Sequence, residues 1–371
     1  MDLEFLLHIP KLKETLRTGW LERGVQNAES VADHSFMSAF IALMTAPAED
    51  RLLGKRGISS QAVSRDRVAQ MLLVHDFHES VTGDMVSKSD WEGGTHSQEE
   101  KRAIEYKAAS NLLPPSLLPL WLEFHEQKTS EAQFAREIDK LEMVLQAIHY
   151  KKMQNHQKPM EPFWDQKNQS HVKSPGLKRI LEDAISGRES GLLKLFNKAR
   201  KLKEFMRSGW ITDSIEQPES VAGHCFGAAF LALCLAPSGM DMDKDKAVRM
   251  ALLHDIGEAI IGDILVDWKV NWLLNGEARR QALFKKSNHK HGITQKEKEA
   301  LEADAIEKLS ALDTTGMIKQ LFLEFESKKS QVSAFGHATE KLDMALQALH
   351  FELSGATKAG MVMDHYFHEA Y

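Results

Sequence analysis

VAQMLLVHDFHESVTGDM, residues 68–85, sets Val68, Met71 and Leu72 at helical spacing and ends that apolar face on the adjacent pair His75-Asp76. Successive side chains of a helix point about 100° apart, so such a pair converges on one ion only near a helix end or with the ion between the two. The same construction returns as AVRMALLHDIGEAIIGDI, residues 247–264, around His254-Asp255. One chain therefore carries two copies of a candidate metal site.

Self-similarity extends outward from both dyads. RTGWLERGVQNAESVADHSF at 17–36 matches RSGWITDSIEQPESVAGHCF at 207–226 without a gap. LEFHEQKTSEAQFAREIDKLEMVLQAIHY, ending at Tyr150, matches LEFESKKSQVSAFGHATEKLDMALQALHF, ending at Phe351. Three ordered blocks repeating once define a duplicated domain, not a short-period solenoid. The 371 residues make two domains of ordinary size, each long enough to bury its own core. The boundaries expected are 1–187 and 188–371. The polar stretch 152–175, with Phe163 and Trp164, reads as a tail packed on the first domain, and GRESG reads as the linker.

Apolar residues recur at helical spacing nearly throughout, as in Leu141, Val144, Leu145 and Ile148, and alternating β-branched runs are nearly absent. Pro114, Pro115 and Pro119 break what would otherwise be one long helix. The fold class expected is all-α: two tandem helical bundles of five or six helices, each around a buried polar centre.

A formal net charge of −6 and the lack of a long basic run argue against a nucleic-acid polymer as partner, while local arginines leave a small anion open. Cys225 and Cys234, nine apart in an apolar segment, read as core residues in a reducing compartment. The first residues, MDLEFLLHIPKLKE, show no basic leader, and no apolar stretch approaches membrane-spanning length. A cytoplasmic protein without membrane partners is the expectation.

An isolated helical dyad needs ligands from other helices. In the first repeat the candidates are His34 and Asp139, which with His75 and Asp76 would give a set of two imidazoles and two carboxylates, suited to one Mn, Fe, Co, Zn or Mg ion and not to a thiolate-type structural zinc. The order H…HD…D, with ESVADH at 29–34, HDxxE at the dyad, GD closing five residues beyond that Glu, and DKLEMVLQA at 139–147, resembles the HD-domain 5'-deoxynucleotidase family, and in particular its R-T-G-W branch. The resemblance covers nearly all of 1–185 and, more loosely, 190–355.

It implies an all-α, metal-dependent phosphohydrolase that removes phosphate from deoxyribonucleoside 5'-monophosphates. His34, His75, Asp76 and Asp139 would hold the metal. Arg17 would contact the phosphate, Trp20 would pack near the sugar and disfavour a 2'-hydroxyl, and Glu79 and Asp84 would stand beside the attacking water and the leaving oxygen. Arg offers a planar, permanently charged fork to two phosphate oxygens. Glu79, one turn after His75, is placed to exchange a proton with the reacting centre.

The second repeat keeps Arg207, Trp210, His224, His254, Asp255, Glu258 and Asp263. Its acids are transposed: Glu340 aligns with Asp139 and Asp343 with Glu142, so an acid is available on the same helix face either way, one methylene longer or shorter. The swap is open to three readings: a shifted ion, a different metal, or decay. Gly223 replaces Asp33, and the stretch 265–293, with Trp268 and Trp272, is inserted after the second GD.

Of the 17 histidines, His8, His125, His149 and His350 read as structural, and His78 and His96 stay open. Gly257 stands where the first repeat has His78, which argues against a second ion per site. Glu29 and Glu219 read as helix N-terminal acids, with Ser30 and Ser220 as caps. Two alternatives accompany the deoxynucleotidase reading. One is an HD phosphohydrolase of another nucleotide or small phosphate ester. Alarmone hydrolases usually carry HDxxED, unlike HDFHES and HDIGEA here, and no basic cluster suited to a triphosphate is legible. The other is a nucleotide-binding or scaffolding protein with one degenerate site. Fusion of two copies suggests a pseudo-dimer within the chain, open to further homo-oligomerisation.

Overall fold

Caps and breakers divide the chain where its periodicity predicts. The computed structural model describes residues 2–53, 63–88, 94–236, 242–264 and 294–357, with 46–53 as backbone only. The first repeat runs α1 (His8–Glu14), α2 (Val31–Leu53), α3 (Arg65–Val74), α4 (Gln98–Leu112), α5 (Leu118–Glu126), α6 (Ser130–Met153) and α7 (Pro175–Ser186). The second runs α8 (Gly191–Ala199), α9 (Val221–Leu235), α10 (Lys244–Leu253), α11 (Gln295–Ser310), α12 (Met317–Ser327) and α13 (Gln331–Leu353). Among the described residues the only β pairing is three isolated bridges.

Equivalent helices start in equivalent ways. Ser97 with Glu100 and Thr294 with Glu297 form capping boxes on α4 and α11. Ser30 and Ser220 accept the backbone N–H of Asp33 and Gly223 at 3.1 and 2.8 Å, fixing the first turns of α2 and α9. Pro119 sits in the first turn of α5, where its missing N–H costs nothing. The insertion 265–293 lies outside the described residues.

The helices α2 and α9 are apolar on nearly every side, so neither is stable except with protein all around it. They pack against each other and against α3 and α10 in the middle of the molecule. A single apolar cluster runs from Phe5 and Ile9 through Phe36, Phe77, Phe196 and Phe230 to Phe325. The expectation that each repeat buries its own core is corrected here: the core is continuous across both. Phe77 stacks on Phe230 with ring centroids 4.2 Å apart, joining the segment after the first dyad to the second repeat's central helix. Polar contacts across the seam come in mirrored pairs. His149 meets Glu204 and His350 meets Glu14, each at 2.9 Å, while Arg249 reaches Asp66 and Gln70 reaches Asp245. The repeats are thus related by an approximate twofold.

Candidate metal centres

The α3 helix ends at Val74, so His75 caps it and Asp76 falls on the turn beyond. That geometry frees the dyad from the 100° helical divergence, and His75 Nε2 lies 3.0 Å from Asp76 Oδ2. From α2, His34 Nε2 comes within 4.0 Å of the same oxygen, and Asp139 on α6 puts Oδ1 3.2 Å from His34 Nε2. His34, His75 and Asp76 thus gather at one point, with Asp139 against His34.

The imidazoles are oriented for an ion. His75 Nδ1–H donates to the Leu72 carbonyl at 2.8 Å, and His34 Nδ1–H donates to Glu142 at 2.5 Å. Each ring therefore turns its Nε2 lone pair into the cluster, where both nitrogens are buried with no hydrogen-bond partner. Buried polar atoms are rarely left unpaired, so these two, facing two carboxylates, fit a divalent cation. Burial and Arg17 push the His34 pKa down, but Glu142 and Asp139 outweigh them and hold it up at about 9. The cluster attracts positive charge.

In the second repeat His254 caps α10 and donates Nδ1–H to the Ala251 carbonyl at 2.7 Å, and His224 Nδ1–H donates to Asp343 at 2.8 Å. The two Nε2 atoms then face each other at 3.2 Å, with Asp255 Oδ2 3.3 Å from His254 Nε2 and 3.9 Å from His224 Nε2. Two lone pairs this close require a cation or a proton between them. The transposed acids divide the labour: Glu142 and Asp343 grip the Nδ1 sides and Asp139 lies at the Nε2 of His34, whereas Glu340 pairs with His337. Glu340 meets His337 Nδ1 at 3.3 Å, and although burial opposes its charge, His337 and His254 draw its pKa down to about 2. The shorter Asp343 is accommodated by Gly227, which stands where the first repeat has Met37. A Cβ there would lie 1.9 Å from Asp343 Oδ1.

Arg17 and Arg207 stand beside the centres, with Nη1 3.0 Å from Asp76 Oδ2 and 3.1 Å from Asp255 Oδ2. Each is fixed by a two-bond clasp onto the start of the central helix, Arg17 N–H to Glu29 O and Val31 N–H to Thr15 O, with Arg207 and Val221 repeating it. The GD pairs now have a structural reason. Gly83 and Gly262 take φ 68° and 75° with extended ψ, a region open essentially to glycine, and this turns the following Asp back. Asp84 accepts the Thr18 backbone N–H at 2.7 Å and Asp263 accepts that of Ser208 at 2.6 Å, so each Asp also anchors the turn that carries the Arg and Trp.

Glu79 and Glu258 are the exceptional acids. Both are buried, and Oε2 of each lacks a hydrogen-bond partner. Burial, then Asp76 and Asp84, raise the Glu79 pKa well above the carboxylate range, and burial with Asp263 and Asp255 does the same to Glu258. Acids with such shifts beside a polar cleft are suited to proton exchange.

A cleft of about 260 Å³ opens over the first centre, lined by Asp76, Glu79, Asp139, Arg102 and Arg136. Sharing Arg17, Asp84, Lys101 and Lys140 with it, a second cleft of about 380 Å³ continues past Trp20 to Phe163. The sequence showed no basic cluster, and that reading is corrected: five cations from two helices and the R-T-G-W turn rim the space, too scattered along the chain to read as a motif. His125, taken as structural, also lines it, stacked 3.8 Å over Trp121, with burial and His78 lowering its pKa to about 4. Trp20 offers the cleft little surface. It is 2% exposed, packs on Phe163 and Tyr150, and donates Nε1–H to Glu29 at 2.8 Å; Trp210 does the same with Glu219.

Glu29 and Glu219 stand directly before the capping serines of the central helices, as the sequence suggested, and there they are buried acceptors. Two residues that sequence reasoning missed complete them. Lys203 donates to Glu29 and Glu142, and Lys13 donates to Glu219 at 2.6 Å and to Asp343 at 2.8 Å. The repeated signal was legible: LKETLRTGW and LKEFMRSGW keep a lysine four residues before the arginine, on an otherwise apolar face.

Two repeats, each a helical bundle bringing histidines and an His-Asp dyad to one buried point, define the class, and the chain belongs to the HD domain family. The family's sequence model matches residues 9–178 and again 199–370. Its relatives include the 5'-deoxynucleotidase HDDC2 of Xenopus laevis, 31% identical over 194 residues that make up 51% of this chain and 89% of the relative. The Dictyostelium discoideum protein of the same name is 36% identical over 157 residues, 42% of this chain and 80% of its own. Among solved structures, the PH0347 protein of Pyrococcus horikoshii OT3 is 33% identical, with a TM-score of 0.40, over 50% of this chain and 97% of its own. The chain is thus an HD phosphohydrolase related to 5'-deoxynucleotidases at about 30% identity over half its length. Among the described residues no helix is long and apolar enough to cross a membrane.

Proposed function

We propose that the first repeat hydrolyses deoxyribonucleoside 5'-monophosphates, and that His34, His75, Asp76 and Asp139 hold the divalent ion it uses, with His224, His254, Asp255 and Glu340 as the second set. The observation that carries this is the unpartnered, protonation-prone Glu79 beside a His-Asp cluster with Arg17 at its mouth. A bound divalent ion supplies two things, a more acidic water and a shield for phosphoryl charge. Arg17 orients the phosphate with the donors that Asp76 leaves over, Glu79 exchanges a proton with the reacting oxygens, and Asp84 keeps the Arg17 turn in place. The adjoining cleft, about 380 Å³ and walled by Phe163 and the edge of Trp20, lies at the small end of ligand pockets, suiting a nucleoside and not a polymer. The names of the relatives support the same substrate class.

In the second repeat Arg207, Glu258 and Asp263 reproduce the first, but Glu340 is drawn toward His337 where Asp139 lies against His34. This supports the first centre as the principal site of turnover.

The test is phosphate release from deoxy- and ribonucleoside 5'-monophosphates and from triphosphates, with Mn, Co, Fe, Zn or Mg added to metal-stripped protein. Release confined to the deoxy-monophosphates is expected. Equal release from ribonucleotides removes the sugar-selective role of the Trp20 wall, and no release from any monophosphate with any metal removes the whole reading.

A further inference from the structure

The two repeats exchange a lysine. Lys203, on the 3-10 turn Arg200–Lys203 of the second repeat, donates to Glu29 and Glu142 of the first, with Gln146 Oε1 at 3.3 Å. Lys13, at the matching place on α1, donates to Glu219 at 2.6 Å and to both oxygens of Asp343 at 2.8 Å. Both ammonium groups are buried. In each case the acid reached is the one that receives Nδ1–H from the central-helix histidine, His34 through Glu142 and His224 through Asp343.

We propose that Lys203 is a positioning residue for the first metal centre and Lys13 for the second, so that each repeat completes the other's ion site. The Glu142 carboxylate has one oxygen on His34 and the other on Lys203, so the lysine fixes the plane of the carboxylate and, through it, the direction in which His34 turns Nε2. A carboxylate left buried without its cation relaxes toward any donor within reach, and the ring it holds turns with it. A lysine serving only to join the repeats needs no particular acid. Here, twice over and with acids of different length, it lands on the one that orients a ligand histidine. The partners that orient metal ligands commonly set metal affinity within about 10–100-fold.

This rests on the metal reading of the centres but not on the choice of substrate. The test is titration of metal-stripped full-length protein with Mn, one centre at a time: His254→Ala leaves the first centre, and His75→Ala leaves the second. Lys203→Met is expected to weaken Mn binding by about 10–100-fold in the His254→Ala protein and to leave the His75→Ala protein unchanged. Lys13→Met is expected to do the reverse. Melting curves accompany each titration. Should Lys203→Met not fold, Lys203→Met with Glu29→Gln keeps the net charge constant and the same crossed loss is expected. Loss at the lysine's own repeat, equal loss at both centres, or loss at neither overturns the inference. If the parent proteins themselves take up no Mn, the metal reading fails as well, which separates the two failures.

Discussion

Gly227→Ala inverts an ordinary rule. In the interior of a helix the change from Gly to Ala stabilises by about 0.5–1 kcal/mol through backbone entropy. At this point of α9 the new Cβ would lie 1.9 Å from Asp343 Oδ1 and 2.6 Å from its Cγ. Asp343 cannot swing aside without loss, because Lys13 holds both its oxygens at 2.8 Å and His224 Nδ1–H holds Oδ2 at 2.8 Å, all buried. Breaking a buried ion pair costs about 3–5 kcal/mol, so the net effect is a destabilisation of about 2–4 kcal/mol once the helix gain is subtracted. Urea unfolding followed by circular dichroism reads it as a lower midpoint, and Mn titration of the His75→Ala background reads the accompanying loss at the second centre. An alanine variant as stable as wild type, or more so, refutes the packing described around Asp343.

Gly83→Ala meets no atom within 4 Å, so its effect comes from the backbone alone. Forcing φ 68° with extended ψ on alanine costs on the order of 1–3 kcal/mol and loosens Asp84 from Thr18, and phosphate release is expected to fall at least about tenfold, measured under saturating metal. Trp20→Phe keeps the aromatic packing but leaves Glu29 Oε1 without its donor, and a destabilisation of about 1–3 kcal/mol is expected in thermal melts; no shift contradicts the buried role given to Glu29. Glu204 pairs with His149 across the repeats, and although burial opposes its charge, His149 and Arg200 draw its pKa down to about 2. A depressed folded pKa contributes stability that is present above the unfolded value near 4.5 and is lost as pH falls toward 2. Glu204→Gln is therefore expected to be less stable than wild type at pH 6, with the gap closing between pH 4.5 and 2 in urea midpoints. A gap independent of pH contradicts the pairing.

The all-helical class and the gathering of His34, His75 and Asp76 were legible because they rest on local signals: apolar periodicity, a dyad placed where a helix must end, and a motif order repeated twice. What was not legible is long-range. The rim of cations over the first centre is assembled from α4, α6 and the R-T-G-W turn, and no window of sequence holds it. Trp20 reads equally as ligand wall or core anchor until Tyr150 and Phe163 are seen packed on it. The division of labour among the transposed acids depends on which side of α6 and α13 faces α2 and α9. The shared core and the exchanged lysines depend on how the repeats dock, which the composition of a single repeat does not specify.

The most direct measurement is phosphate release from a deoxyribonucleoside 5'-monophosphate by metal-reconstituted wild type, Asp76→Ala and Asp255→Ala, with bound metal counted for each protein. The account predicts loss of turnover and of one ion in Asp76→Ala, and in Asp255→Ala loss of one ion with most turnover kept. Full activity and full metal content in Asp76→Ala would contradict it.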